Sequence, residues 1–327
     1  MGRFRTRKSM TTFTREAVVQ LSNSLGEPPW MREFRLLAYE EYEKLPVPTT
    51  GDEPWRRTDI RRFKLDDIGP SLNGDGVAGE LPSYLGEQLT EDATGGILVE
   101  VDGVVVQFEL DKAASDQGII FCDMHTAVRE HPELVRAHFM SEAVQVTEGK
   151  FAALHGAFWR GGTFLYVPRG VKAPPMHSAL WSNSGKTYSH TLVVLEEGAE
   201  AVLIDEYASE SGSGQAIHNG AIELLVRDTA NLVYVSLQDF GSNMWQFSHE
   251  RGRVGRQIVL RRAAVVAIRL VDRRDVEVEQ QPSIARELGE AAARQGHLID
   301  RRGGVGHPQA LVPVGLVEQA REHTPQR

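Results

Sequence analysis

Residues 156–253 decide the fold of this chain. They read GAFWRGGTFLYVPRGVKAPPMHSALWSNSGKTYSHTLVVLEEGAEAVLIDEYASESGSGQAIHNGAIELLVRDTANLVYVSLQDFGSNMWQFSHERGR. Short runs rich in Val, Leu, Tyr and Phe alternate with turn sequences, and no helical period lasts beyond a few residues. Gly can adopt the positive φ angles of sharp corners, and Asp can bond its own backbone there. The pattern predicts an all-β block with strands at 163–167, 191–195, 201–205, 221–226 and 232–238.

The same block repeats a turn at intervals of about 30 residues, a spacing typical of solenoid repeats. Gly170, Gly198 and Thr229 each occupy the small turn position, which follows a strand end and precedes a small apolar residue. One such unit cannot bury its apolar face alone, so we expect stacked units that share a core. The repeat favours a β-solenoid, or β-helix. A β-sandwich or a cupin-like barrel is the competing architecture, because the period does not fix how the strands pair.

The N-terminal part of the chain, residues 1–95, predicts a helical region followed by a connector. Thr14 can cap a helix over 14–25, which Gly26 would end, and a second helix is predicted over 30–44 after Pro28-Pro29. Beyond it, the content of Gly, Pro and Asp indicates loops up to residue 95.

The predicted β core spans residues 96–255. It opens with alternating apolar residues on either side of Asp102-Gly103, which indicate a hairpin over 97–110. A short helical insertion is predicted near 125–139, before the β block itself.

The last part of the chain, residues 256–327, has an abrupt change of composition. It contains 12 Arg but no Lys, Phe, Tyr or Trp, whereas all 24 aromatic residues lie before it. Burying one large apolar side chain contributes about 1.5–3 kcal/mol, so a segment without aromatic residues is poorly equipped to extend a core. We expect a weakly ordered tail. Our hypothesis is that it is an out-of-frame reading of a GC-rich gene, with a genuine divergent tail as the alternative.

Composition and charge exclude several classes of function. The net charge of −9 argues against general nucleic-acid binding, which relies on a basic face. The sequence has no apolar run of about 18 residues, so no membrane span is predicted. The basic start, residues 1–8, is not followed by an apolar signal core, which indicates a cytoplasmic protein.

The sequence contains one cysteine, Cys122, at the end of a predicted buried strand. One thiol cannot form an intramolecular disulfide, nor a four-thiolate zinc or iron–sulfur site made by these residues alone. We expect Cys122 to be a small hydrophobic core residue and not a reactive thiol.

Two stretches resemble sites for ligands. Gly185-Lys186-Thr187 is similar to the end of a phosphate-binding loop, but Leu180 stands where that loop requires Gly, and a strand is predicted after it where a helix is needed. His177, His190 and Glu196 have a spacing faintly like a cupin metal site, yet the close His-x-His pair of such a site is missing. No catalytic residue is predicted, and the residues favour a scaffold over an enzyme.

Several stretches, in the right order over about residues 13–255, together resemble the SufB/SufD family of iron–sulfur cluster assembly proteins. Within that family the chain is more similar to SufD, because its N-terminal region is compact and its β block has no cysteine. The stretches are Pro29-Trp30-Met31, Pro54-Trp55-Arg56-Arg57-Thr58-Asp59, Glu130-His131-Pro132-Glu133-Leu134-Val135, Phe164-Leu165-Tyr166-Val167-Pro168-Arg169-Gly170-Val171 and Phe247-Ser248-His249-Glu250-Arg251.

The resemblance implies a mainly β fold, a right-handed parallel β-helix behind an N-terminal helical region. It also implies a non-catalytic scaffold that pairs with SufB on SufC, a cytoplasmic ABC-type ATPase. No cofactor would be bound by this chain alone, and an iron–sulfur cluster would form only in complex with SufB. Residues 256–327 do not match the family's late β-helix and terminal helices. We therefore assign no family site residue to His297, His307 or His323.

Overall fold

The computed structural model describes residues 12–72 and 95–256, together with the backbone of residues 259–266. Helices α1 (Arg15–Ser24) and α2 (Pro29–Lys44) open the described part of the chain, as predicted. The Thr14 hydroxyl caps α1 by accepting a hydrogen bond from Ala17 N at 3.1 Å. Gly26, with φ 61°, follows the end of that helix.

Loops after α2 contain a single 3₁₀ turn and the four-residue helix α3 (Leu65–Ile68). They agree with the connector predicted up to residue 95 as far as residue 72, and residues 73–94 lie outside the described residues.

Strands of the first sheet run in the order β12-β10-β8-β5-β1-β2. The predicted hairpin is present, because β1 and β2 pair antiparallel, and every other neighbouring pair in this sheet is parallel. The strands are β1 (Gly96–Val101), β2 (Val104–Leu110), β5 (Met176–Ser182), β8 (Glu200–Ser209), β10 (Asn231–Asp239) and β12 (Val259–Val266).

The second sheet has the order β11-β9-β7-β4-β3, and the short β6 pairs with β9. The β3–β4 pair is antiparallel, and the remaining pairs are parallel. The strands are β3 (Ile120–Asp123), β4 (Thr163–Val167), β6 (Lys186–Thr187), β7 (His190–Leu195), β9 (Ala216–Val226) and β11 (Met244–Val254).

Successive strands alternate between the two sheets from β4 to β12. Each strand there pairs in parallel with a strand one coil away, so partners such as Met176 and Leu203, or His190 and Ala221, lie 27 to 31 residues apart. The sheets share one buried core, to which Leu98, Val193, Leu203, Leu224 and Tyr234 belong. The fold therefore consists of parallel-rich mixed sheets behind a helical N-terminus.

The repeated turns predicted from the sequence stack on one another. Gly170, Gly198 and Thr229 have φ angles of 71°, 70° and 60°. Gly170 N donates to Glu197 O at 2.9 Å, and Gly198 N donates to Asp228 O at 3.0 Å. Each turn is thus hydrogen-bonded to the turn of the next coil, which explains the common residue pattern.

Helices cover the outer face of the second sheet. The predicted insertion near 125–139 is present as α5 (Met124–Glu130) and α6 (Pro132–His138), after the short α4 (Lys112–Asp116). Helix α7 (Lys150–Phe158) was not predicted, and it extends into the stretch assigned to the all-β block. All its residues from Phe151 to Phe158 are buried, so its sequence shows no polar face that would reveal a helical period.

The tail contains a further departure from the sequence analysis. We placed a boundary at residue 256 and expected weak order beyond it, yet β12 pairs in register with β10 along eight residues. Small and branched apolar residues suffice for a strand that pairs with an existing sheet edge, even where no aromatic residue is available. Residues 267–327, including His297, His307 and His323, lie outside the described residues.

Candidate functional site

His177, His190 and Glu196 are not brought together in the structure. On β5, Met176 faces the core between the sheets, so His177 points to the outer side of the first sheet. On β7, Val193 faces the same core, so His190 points to the outer side of the second sheet. Glu196 lies in the turn after β7 and is half-buried. The three side chains therefore share no common centre.

His190 belongs instead to a fully buried chain of polar side chains under the helical layer. Its Nδ1 lies 3.0 Å from His155 Nε2, and its Nε2 lies 3.1 Å from Glu223 Oε2. His155 Nδ1 lies 3.0 Å from the carbonyl oxygen of Asn219. Both histidines and the glutamate have no exposed surface.

Burial determines the protonation of this chain. Desolvation lowers the pKa of His190 to about 3 and that of His155 well below its usual range, so both rings are neutral at physiological pH. Burial raises the pKa of Glu223 to about 7, against hydrogen bonds from three backbone N–H groups, the first from Val144.

The order of the hydrogen bonds follows from the one group that can only accept. The carbonyl of Asn219 accepts from His155 Nδ1–H, so His155 Nε2 carries no proton and accepts from His190 Nδ1–H. His190 Nε2 is then an acceptor that faces Glu223 Oε2, and the carboxyl proton lies between them. The chain holds one transferable proton, but its burial keeps any substrate away from it.

Glu223 also fixes the segment that follows α6. Its Oε1 accepts from Val144 N at 2.9 Å and its Oε2 from Met140 N at 2.7 Å. The ring of Phe139 lies 4.2 Å from that of His190, between centroids. The chain thus joins the helical layer to the second sheet.

A second polar cluster lies between the two sheets, around Asp205 on β8. Four hydroxyl groups donate to its carboxylate. Ser178 lies 2.6 Å from Oδ1, while Thr191, Tyr207 and Tyr234 lie 2.8, 2.6 and 2.7 Å from Oδ2. Its neighbours Leu203 and Tyr207, two residues away on the same strand, belong to the core; this period of two is the signal by which the sequence could have placed Asp205 inside.

His177 has a partner that the sequence analysis did not assign. Its Nε2 lies 3.4 Å from Glu206 Oε2, on the outer side of the first sheet. In the part of the chain that the structure describes, no group of three or more His, Cys, Asp or Glu side chains is arranged to hold a metal ion.

Two family models match the chain in order. The SufBD protein N-terminal region matches residues 20–175, and the SUF system FeS cluster assembly SufBD core domain matches residues 179–302. The chain belongs to the SufBD family. The core match extends beyond residue 256, so our statement that family likeness ends there is wrong; it rested on composition, which the family model outweighs.

Relatives of known family membership share 28–30% of their residues with this SufBD chain. A Staphylococcus epidermidis iron–sulfur cluster assembly SufBD family protein is 30% identical over 270 residues, 76% of this chain and 56% of the relative. The iron–sulfur cluster assembly protein SufD of Bacillus subtilis is 30% identical over 243 residues, 72% of this chain and 55% of that protein. The chain thus spans little more than half the length of the relatives it matches.

Two further expectations can be compared with the SufBD structure. Cys122 is buried in β3, and burial raises the pKa of its thiol to about 12, which confirms the prediction of an unreactive core residue. Lys186 lies in the short strand β6, so no helix N-terminus follows Gly185 and the phosphate-binding loop is absent at this position. Among the described helices, none is long and apolar enough to cross a membrane.

Proposed function

We propose that this chain is a SufD-like scaffold subunit of the SUF iron–sulfur cluster assembly system. The observation that carries the proposal is the match to both SufBD models, in order, over residues 20–302. The similarity to SufD of Bacillus subtilis supports the SufD-like assignment within the family.

Non-catalytic action is supported by where the acid–base groups lie. His155, His190 and Glu223 have no exposed surface, and the Asp205 carboxylate is enclosed by hydroxyl groups between the sheets. General acid–base catalysis requires a group within hydrogen-bond reach of the substrate. Side chains sealed in this way serve the fold, which is the role expected of a scaffold.

Partners are part of the proposal. The thiol of Cys122 is buried and held protonated by its raised pKa, so it is a poor ligand for iron or sulfur. A cluster would therefore need thiolates from another chain, and we assign that role to a SufB-like subunit in the cytoplasm. ATP hydrolysis would come from a SufC-like ABC ATPase that carries the pair.

We further infer that the two sheets are walls of a right-handed parallel β-helix. Strands that alternate between the sheets, partners 27 to 31 residues apart and turns that stack coil on coil support this architecture. A crystal structure of the full chain tests it, and left-handed or open connections between β7, β8 and β9 would disprove it.

Co-expression tests the function. The full chain with an affinity tag is produced together with the SufB-like and SufC-like proteins of the same genome. We expect the three proteins to co-elute, and iron and sulfide to be retained only when the SufB-like subunit is present. Elution of the tagged chain alone, in the presence of both soluble partners, would contradict the proposal.

A further inference from the structure

An enclosed cavity lies between the two sheets beside Asp205. It has room for about one water-sized sphere. The side chains that line it carry oxygen as their only polar atom, and those that matter here are Glu100, Ser178, Ser189, Thr191, Asp205 and Tyr207. Oxygen ligands without nitrogen or sulfur are typical of sites for hard cations.

Two buried oxygens of this lining have no hydrogen-bond partner among the described residues. They are Glu100 Oε1 and Ser189 Oγ, on side chains of residues that are 2% and 1% exposed. The other carboxyl oxygen, Glu100 Oε2, accepts from Gly162 N at 2.7 Å. Buried polar atoms are nearly always paired, so these two orphaned oxygens point to a ligand in the cavity.

Hydroxyl orientation around Asp205 also favours a cation. Ser178, Thr191 and Tyr207 direct their protons to the Asp205 carboxylate, which leaves their oxygen lone pairs for another partner. The lining thus presents a buried negative charge and outward lone pairs, and its side chains supply no ammonium, guanidinium or imidazole. Buried charges in proteins are paired or coordinate ions.

We propose that this cavity binds one dehydrated monovalent alkali cation between Glu100 and Asp205. A divalent ion is disfavoured, because Mg²⁺ keeps several waters for which the cavity has no room, and Ca²⁺ needs six to eight oxygens. The bound cation would join the first sheet, which contributes Glu100 and Asp205, to Ser189 beside β7 of the second.

Proton competition gives the site a distinctive signature. Burial raises the pKa of Glu100 to about 8; the N–H of Gly162 and the charge of Arg160 oppose this rise, while the charges of Asp123 and Asp205 add to it. Below about pH 8, a cation must displace the proton of Glu100. Its affinity therefore increases with pH up to that value and is constant above it.

Thermal unfolding of the full chain tests the proposal. Protein in choline chloride is compared with protein in NaCl or KCl at equal ionic strength. A ligand that binds only the folded state raises the melting temperature, here by at least about 2–4 °C. We expect the shift for Na⁺ or K⁺, whichever fits the cavity, and a larger shift at pH 8 than at pH 6.

Matched variants locate the effect. Glu100→Gln keeps the shape of the side chain but removes the charge, and it should abolish the cation-dependent shift and its pH dependence. Glu206→Gln is the control, because Glu206 follows Asp205 on β8 but lies on the opposite side of the sheet, beside His177. It should keep the full shift.

Direct detection covers the case in which Glu100→Gln fails to fold. Crystals of the wild-type chain grown in RbCl should show an anomalous peak between Glu100 and Asp205, and Ser189→Ala should weaken the thermal response. Equal melting temperatures in all three salts with no rubidium peak would mean a water-filled cavity and would overturn the proposal. A shift that survives Glu100→Gln would place the cation elsewhere and would overturn it too.

Discussion

His190 Nδ1 donates to His155 Nε2 over 3.0 Å, and neither ring has any exposed surface. This contact connects helix α7 to strand β7, two elements that are separated in the chain by the turn at Gly161 and by two strands. Because one end of the chain is fixed by the Asn219 carbonyl, the other end must share its proton with Glu223. The helical layer is thus held to the sheet by groups with a defined protonation.

Glu223→Gln should destabilise the protein most at low pH. The folded state keeps the Glu223 proton up to about pH 7, whereas the unfolded state loses it near the ordinary glutamate pKa. Wild-type stability therefore falls between these pH values, by roughly 3 kcal/mol at most, and the glutamine variant lacks this fall. Urea unfolding at about pH 5, 6 and 7 should show a gap between the two proteins that narrows as the pH rises.

Glu142→Gln is the control for this experiment. Arg227 and then His138 hold the pKa of the Glu142 carboxyl at about 2, below its unfolded value. Its contribution is complete above the unfolded pKa and is lost only as the pH falls through about 4 toward 2. Its gap to wild type should stay constant from about pH 5.5 to 7, and a gap for Glu223→Gln that is equally constant would show that Glu223 ionises normally.

Glu27→Ala should be severely destabilising. Arg35 has no exposed surface and donates two hydrogen bonds to Glu27, at 2.8 and 2.6 Å. Removing the carboxylate leaves a buried guanidinium unpaired, which typically costs about 3–5 kcal/mol. Chemical denaturation measures this loss, and Asp116→Ala, which breaks the exposed pair with Lys112, should barely change stability. Equal effects of the two variants would mean that Arg35 finds water or another partner.

The stacked turns allow a reciprocal pair of substitutions. Thr229 is exposed and has a φ of 60°, in the left-handed region that is unfavourable for a β-branched residue. Thr229→Gly should therefore stabilise the protein, and Gly198→Ala, at a φ of 70°, should destabilise it, each by about 1 kcal/mol. A Cβ at Gly198 would meet nothing closer than 3.7 Å, so the second effect reports the backbone alone. Opposite signs for the two melting-temperature shifts are the expected result.

Cys122 should resist thiol reagents in the folded protein. Its raised pKa and its burial suppress the reactive thiolate, so labelling at about pH 8 should be at least roughly a hundredfold slower than in urea. Because the sequence has one cysteine, an absorbance assay with a disulfide reagent reports this residue alone. Stoichiometric labelling of the native chain within minutes would contradict the proposal that cluster thiolates come from a partner.

Local signals in the sequence predicted the local structure. The Thr14 cap, the hairpin turn at Asp102-Gly103 and the repeated turns depend on a few adjacent residues, and each is present as expected. Helix α7 and strand β5 were missed because both are buried on all sides. In β5 the pattern is also obscured by Ser178 and His177, whose polar groups are paired inside the protein.

The buried polar clusters could be predicted only in part. His155, His190 and Glu223 are 33 to 35 residues apart, close to the length of one coil, so their spacing was a usable signal once the coils were aligned. His177 and His190 were grouped by sequence distance, whereas the direction of each side chain depends on its position within its strand. A parity error of this kind places two residues on opposite sides of the molecule.

Coils whose partners lie 27 to 31 residues apart also determine how related chains can differ in length. Loss of one residue inside β7 would turn Val193 outward and bring a polar neighbour toward the core. Gain or loss of a whole coil would keep every inward side chain inward and every turn above another turn. Natural relatives should therefore vary by complete coils, or within the turns, and the number of coils becomes a heritable trait that can change in single duplications.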